Sequence, residues 1–184
     1  MSPRTLLLPS HVHETLVSRA ENGAPAEMCG VLLGTGRESD PVRVVDTSAV
    51  PNVADDPRTR YELDPGAVAQ VFASVEGEGE SSASTPDEAT GSTEVVGFYH
   101  SHPRGPPGPS ATDRAQAQWP GYVYVIVSLT TDRAQATATE AVDADPERES
   151  ADVGAWRWTG EVFESLTVEV RGDGSDDGDD PQAG

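Results

Sequence analysis

The chain has 184 residues, enough for one domain with a real core, and 35% of them are hydrophobic. Its 32 acidic and 12 basic residues give a formal charge of −20, and every basic residue is arginine. That balance argues against a phosphate-binding surface, which needs a basic stripe; the lone cysteine, Cys29, rules out an internal disulfide.

In chain order, "RTLLLP" reads as a first short strand. Ser10 then stands where an N-cap belongs, ahead of a helix to about Ala20 whose buried face carries Val12, Leu16, Val17 and Ala20; Gly23 and Pro25 end it. "CGVLLG", Cys29 to Gly34, is an apolar run between glycines and reads as a buried strand, followed by a strand "VRVVDTSAV", Val42 to Val50, and a short one at "RYEL". Asp64 and Pro65 suit the N-cap and first position of a helix to about Val75. Residues 76–93 contain almost nothing apolar and read as a flexible acidic loop. "EVVGFYHSH" is the next strand, "SATDRAQAQW" from Ser110 a helix, and "YVYVIVSL" the strongest strand signal of all. "AQATATEAV" and the segments around "AWRWTG" and "VFESLTVEV" complete a mostly antiparallel set, and from Gly172 the acidic tail reads as disordered. The expectation is an α/β domain over residues 1–171, a mixed sheet with two or three helices, and a tail over 172–184. "YVYVIVSL" is too short to span a bilayer and "TLLLP" too short for a signal core, so a soluble, cytoplasmic protein without membrane partners is expected.

The four histidines form two His-x-His pairs. On a strand, residues two apart share a face, so His100 and His102 can grip one ion together. On a helix they diverge by about 200°, so His11 and His13 read as two ordinary surface or half-buried histidines. Downstream of His102, "PRGPPGP" implies a rigid irregular loop able to bring Asp113 back to the pair. Two imidazoles and a carboxylate are the donor set of a zinc site that leaves one position for water. Ser110 and Asp113 also fit a capping box, Ser-x-x-acid at a helix start. Cys29 lies in an apolar strand and reads as a packed small hydrophobe, not as a nucleophile. The His-x-Glu and Cys-x-x-Cys signatures of zinc deaminases are both absent.

His-x-His, a proline, six further residues, serine, two residues and aspartate resemble the signature of the JAMM (MPN-plus) metalloprotease family; "AEMCGVLLG" supplies the upstream glutamate of that pattern, Glu27. The resemblance spans roughly Thr5 to Leu129. It implies an MPN/JAMM domain with a cytidine-deaminase-like architecture and one zinc per chain, with His100, His102 and Asp113 as zinc ligands. It also implies Glu27 as general base and Ser110 as a residue that helps bind the oxyanion. Bound zinc lowers the pKa of a water to about 7 and polarises a carbonyl. Members with this pattern mostly cleave isopeptide bonds between a ubiquitin-like protein's C-terminal glycine and a lysine. The implied partners are β-grasp modifier proteins and their conjugates, with linear fusions as further substrates. Alternatives are a peptidase serving sulfur-carrier β-grasp proteins and a non-catalytic MPN scaffold, although no motif residue is missing here. His11, His13 and Cys29 all lie N-terminal to the region where a second, structural zinc is built in some members, so none is expected.

The acidic, lysine-free, alanine-rich composition resembles that of proteins from salt-accumulating halophilic archaea; an ordinary acidic cytosolic protein is the alternative. A charge of −20 strains a small fold in dilute buffer, whereas at about 1 M salt the Debye length of roughly 3 Å screens it.

Overall fold

A computed structural model of the chain describes residues 4–78, 92–129 and 151–172. The "AQATATEAV" segment, most of the acidic loop and the tail beyond Gly172 lie outside the described residues.

Among the described residues, seven strands and three helices follow one another as β1 (Thr5–Pro9), α1 (Ser10–Gly23), β2 (Cys29–Thr35), β3 (Val42–Val50), α2 (Pro65–Glu78), β4 (Glu94–His102), α3 (Ala111–Gln116), β5 (Val123–Ser128), β6 (Asp152–Trp158) and β7 (Phe163–Arg171). They form one strongly curled mixed sheet in the order β1-β3-β2-β4-β5-β6-β7. The β2–β3, β2–β4, β5–β6 and β6–β7 pairs are antiparallel, whereas β4–β5, β1–β3 and β1–β7 are parallel. The expected mixed, mostly antiparallel sheet with flanking helices is therefore the fold.

β4 and β5 show no polar alternation because both of their faces are covered. On one face Val12, Leu16 and Ala20 of α1 join a core with Leu6, Leu8, Leu32, Val96, Val123 and Val125. Leu16 is fully buried, and its burial contributes about 1.5–3 kcal/mol. On the other face Val68 of α2 joins Val31, Val95, Phe98, Tyr124 and Trp158. β4 and β5 approach closely at Gly97, where an added Cβ would stand 2.1 Å from the Val123 carbonyl oxygen.

Four local expectations need correction. Pro9, not Ser10, occupies the N-cap of α1, with no side-chain cap bond, and the helix continues to Gly23. "RYEL" is not a strand: its only ladder contact is an isolated bridge between Asn52 and Leu63. Val53 N–H donates to the Glu62 carbonyl (2.8 Å) and Asp64 N–H to the Pro51 carbonyl (3.1 Å), which closes an irregular loop. α2 runs to Glu78, taking the first residues assigned to the acidic loop, with Val71, Phe72 and Val75 packed against the core. α3 stops at Gln116 rather than Trp119, where Ala117 turns extended.

Candidate metal centre

Two β4 histidines, the loop after them and the start of α3 build the site. His100 and His102 sit at the C-terminal end of β4, where the chain leaves for α3 before returning in parallel as β5. Crevices at the carboxyl ends of parallel strands are where α/β sheets present ligand sites. Because residues two apart on a strand share a face, both rings project to the side carrying Phe98. Leu129 N–H donates to the His102 carbonyl (3.2 Å), and Ser128 Oγ donates to the Gly105 carbonyl (3.2 Å), so the end of β5 fixes the start of the proline-rich loop. Gly108 in that loop has φ +106°, a conformation that favours glycine.

The loop returns Asp113 to the pair. His100 Nε2 lies 3.2 Å from Asp113 Oδ1, His102 Nε2 lies 3.3 Å from Asp113 Oδ2, and the two Nε2 atoms are 3.1 Å apart. The three side chains are buried, at 1%, 7% and 6% exposure for His100, His102 and Asp113. They are the His/Cys/Asp/Glu group able to hold a metal ion among the described residues. A tetrahedral ion with bonds near 2.0 Å separates its ligands by roughly 3.3 Å, close to the 3.1 Å between the two Nε2 atoms and to their distances from the two oxygens of the Asp113 carboxylate. The ring chemistry fits too. His102 Nδ1–H donates to the Pro106 carbonyl at 3.2 Å, so Nε2, the atom in the triangle, is the ring nitrogen that would give up its proton to ligate an ion. His100 Nδ1 is buried without a partner, and the Tyr61 ring stacks on this imidazole instead, with centroids 4.1 Å apart.

The capping box and the metal set prove compatible. Asp113 N–H donates to Ser110 Oγ (3.1 Å) and Ser110 N–H donates to Asp113 Oδ2 (2.6 Å). One carboxylate thus caps α3 and faces both histidines. Burial alone would raise its pKa, but hydrogen bonds from His100, His102 and Ser110 outweigh it and hold the carboxyl well below the usual range. For His100 burial dominates and lowers the pKa despite Asp113; for His102 burial pulls the same way, but bonds to Asp113 and Pro106 prevail and raise it.

Glu27, 9% exposed, precedes β2 beside this triangle without belonging to it. Burial pushes its carboxyl up to about 7, with the charge of His102 acting against the shift and that of Asp113 for it. Its backbone is pinned: Glu27 N–H donates to the Pro57 carbonyl (2.6 Å), and Asn52 Nδ2 donates to the Glu27 carbonyl (2.9 Å). Cys29 is buried, its Sγ 3.4 Å from the Val50 carbonyl oxygen, and burial together with the nearby Glu27 charge pushes its thiol up to about 12. It is a packed hydrophobe with no nucleophilic character at neutral pH. His11 is exposed and His13 half-buried on α1, and neither approaches the triangle.

Sequence reasoning passed over Tyr61, Asn52 and Ser101. Tyr61 and Leu63 border an apolar cavity of about 520 Å³ lined also by Val68, Phe72, Phe98 and Trp119, so Tyr61 joins this cavity to the metal triangle. The signal for Asn52 is local: in "PNVADDP" its side chain forms an Asx turn, with Ala54 N–H donating to Oδ1 at 3.1 Å.

The fold and the His-His-Asp triangle together define a metallohydrolase-type domain of the JAB/MPN class. Residues 9–143 match the family of prokaryotic homologs of the JAB domain, and the chain belongs to that family. It is 37% identical over 174 residues to the desampylase of Haloferax volcanii, covering 92% of this chain and 99% of that protein. It is also 33% identical over 114 residues to a probable TtuB-protein conjugate cleaving protease of Thermus thermophilus, covering 62% of this chain and 64% of the relative. The fold is shared with a solution structure of a protein from Desulfitobacterium hafniense (TM-score 0.67, 20% identity, 92% of this chain and 94% of that one). A protein from Salinibacter ruber is similar as well (TM-score 0.53, 27% identity, 97% and 95%). With its motif complete and these relatives, the chain is an enzyme, not a silent scaffold. Among the described residues no helix is long and apolar enough to cross a membrane.

Proposed function

We propose that the protein is a zinc-dependent isopeptidase that releases small ubiquitin-like, β-grasp modifiers from lysine conjugates, and from linear fusions, in a salt-rich cytoplasm. The observation that carries this reading is the buried triangle of His100 Nε2, His102 Nε2 and Asp113, with edges of 3.1–3.3 Å. The Haloferax desampylase and the Thermus conjugate-cleaving protease support the substrate class.

His100, His102 and Asp113 would hold one zinc, which when bound supplies Lewis acidity and an acidified water. Asp113, kept anionic by its hydrogen bonds, offsets the ion's charge, while the Pro106 carbonyl fixes the His102 tautomer. Glu27 accepts the proton of the attacking water on its carboxylate and delivers it to the leaving lysine amine as the C–N bond breaks. Its burial beside the triangle raises its proton affinity, which suits both halves of that transfer. Ser110 Oγ, whose lone pair caps Asp113 N–H, keeps its own proton to donate to the oxyanion of the tetrahedral intermediate. The modifier's terminal glycines suit a narrow passage, and an extended tail can pair with a sheet edge through main-chain bonds.

The test is incubation with a defined modifier–lysine conjugate in molar salt, with and without chelator. Release of intact modifier, loss of release on chelation and recovery with zinc are expected, as is sharply slower release when either terminal glycine is replaced by valine. Equal rates on the valine versions, or ready digestion of unrelated proteins, would reduce the enzyme to a general metallopeptidase.

A further inference from the structure

The peptide unit joining Glu27 to Met28 is held at both ends by side chains remote in sequence. Its carbonyl accepts from Asn52 Nδ2 at 2.9 Å, and its N–H donates to Ser101 Oγ at 2.9 Å. Ser101 is fully buried between His100 and His102, and its own N–H returns a bond to the Met28 carbonyl at 3.0 Å. One end of the clamp is therefore part of the histidine strand. The other end is a fully used amide. Asn52 Nδ2 also donates to the Arg60 carbonyl (3.2 Å), and Oδ1 accepts from Ala54 N–H (3.1 Å) and Glu62 N–H (3.0 Å). An asparagine amide has two N–H groups and two acceptor lone pairs, and here each has a partner. The reverse orientation would set an oxygen against two carbonyls and an NH₂ against two N–H groups, so the network fixes the amide.

These bonds tie together three things that chain connectivity leaves independent: the segment carrying Glu27, the strand carrying His100 and His102, and the loop carrying Tyr61, which stacks on His100. The Glu27 side chain branches from a peptide unit with little freedom to rock, and the Pro57 carbonyl restrains the peptide unit before it. Proton transfer demands hydrogen-bond reach, so an error on the order of 1 Å in the carboxylate costs rate even when every reacting group is present.

Resting on the isopeptidase reading above, we infer that Asn52 and Ser101 are positioning residues for the reaction: they clamp the Glu27–Met28 peptide unit and so aim the Glu27 carboxylate relative to the His-His-Asp triangle. Neither touches substrate. Removing either end leaves the metal set and the substrate surface in place, so the loss falls on kcat.

The experiment compares zinc-loaded wild type, Asn52→Ala, Asn52→Asp and Ser101→Ala on the same lysine conjugate in molar salt. Zinc content, thermal stability and amide hydrogen exchange at Met28 are measured alongside. Asn52→Asp keeps an acceptor for the Ala54 and Glu62 N–H groups and sets an oxygen where the amide donated to the Glu27 and Arg60 carbonyls, so the zinc content and stability readings separate aim from loop disruption. Ser101→Ala leaves the 52–63 loop untouched and frees the Met28 N–H. The expected result is one zinc per chain in every variant, KM within about threefold, kcat lower by roughly 10- to 100-fold, and faster Met28 exchange in Ser101→Ala. A wild-type kcat in Asn52→Asp and Ser101→Ala overturns the inference. So does a loss of kcat found only together with lost zinc or global unfolding, since the residues then act on the fold alone. An inactive wild type is a different outcome: it defeats the isopeptidase reading while the exchange data still report on the clamp.

Discussion

The helix cap that Ser110 makes and the oxyanion role proposed for it can be separated by a single substitution pair. As N-cap of α3 its Oγ accepts the Asp113 N–H at 3.1 Å, while the other half of the box runs from its backbone N–H to Asp113 Oδ2 and survives any side-chain change. Ser110→Ala therefore costs one cap bond, about 1 kcal/mol of stability. As oxyanion donor the same hydroxyl is worth about 3 kcal/mol at the transition state, and at 1.36 kcal/mol per decade that is roughly 150-fold in kcat. Ser110→Gly changes the ratio: glycine at an N-cap costs only a few tenths of a kcal/mol, and the extended backbone there (φ −73°, ψ 173°) accepts it, yet the hydroxyl is equally gone. The two variants should thus differ in stability, share one rate defect, and both retain a full zinc complement, since the backbone bond still holds Asp113. Denaturant unfolding and single-turnover release from a lysine conjugate in molar salt measure the two effects. A kcat within threefold of wild type in both variants would make Ser110 a cap and nothing more.

Metal analysis should find one zinc in wild type, loss of at least about 100-fold in zinc affinity in His100→Ala and Asp113→Ala, and full retention in the His11→Ala/His13→Ala double variant; a second zinc in wild type would break the assignment. Glu27→Ala should keep its zinc and lose cleavage, whereas loss of the ion would make Glu27 a ligand. The pKa of Glu27 is about 7 in the fold against 4.5 for an ordinary glutamate, so the folded state binds the extra proton between those values. Its contribution is then present below about 4.5 and lost as pH rises through 7. In chelated protein, Glu27→Gln should accordingly gain stability over wild type from pH 5 to pH 8, and a constant difference would refute the burial argument. Cys29, with its thiol at about 12, should resist iodoacetamide in folded enzyme, and Cys29→Ser should stay active. Gly97→Ala sets a Cβ 2.1 Å from a backbone oxygen that cannot rotate away, and should cost about 1–3 kcal/mol or more as β4 and β5 part.

The sequence made the strands legible where burial made them uniform. "YVYVIVSL" and "EVVGFYHSH" lie in the covered centre of the sheet, so almost any residue that reads apolar there is apolar for one reason. "RYEL" misled because a tyrosine and a leucine in a short run suggest pleated packing, whereas Tyr61 is there to cover an imidazole and Leu63 to line a cavity. Ser10 misled in another way. Serine before an apolar stripe satisfies the capping rule, but Pro9 already carries the extended backbone of an N-cap, which moves the serine inside the first turn. The limits of α2 and α3 depend on packing that no local pattern encodes.

At the site, what could be read and what could not divide by sequence distance. His100 and His102 are two residues apart on one strand, and Asp113 follows within a short loop, so pleat geometry and a stiff connection bring them together with few alternatives. Glu27 is 73 residues before His100, and spacing alone could not have chosen it over the other acids of a chain with 32. What holds its backbone is a set of bonds written on two separate segments: Asn52 and Pro57 from one loop, and Ser101 from the histidine strand. A serine between two metal-facing histidines points, by strand alternation, away from the ion, and so looks incidental. That orientation is what frees it to reach the neighbouring strand's entry and hold the peptide from which Glu27 departs. The pleat that makes a His-x-His pair a metal grip thus turns its middle residue away from the ion, where its hydroxyl holds the peptide unit from which Glu27 branches in register with the strand that carries both histidines.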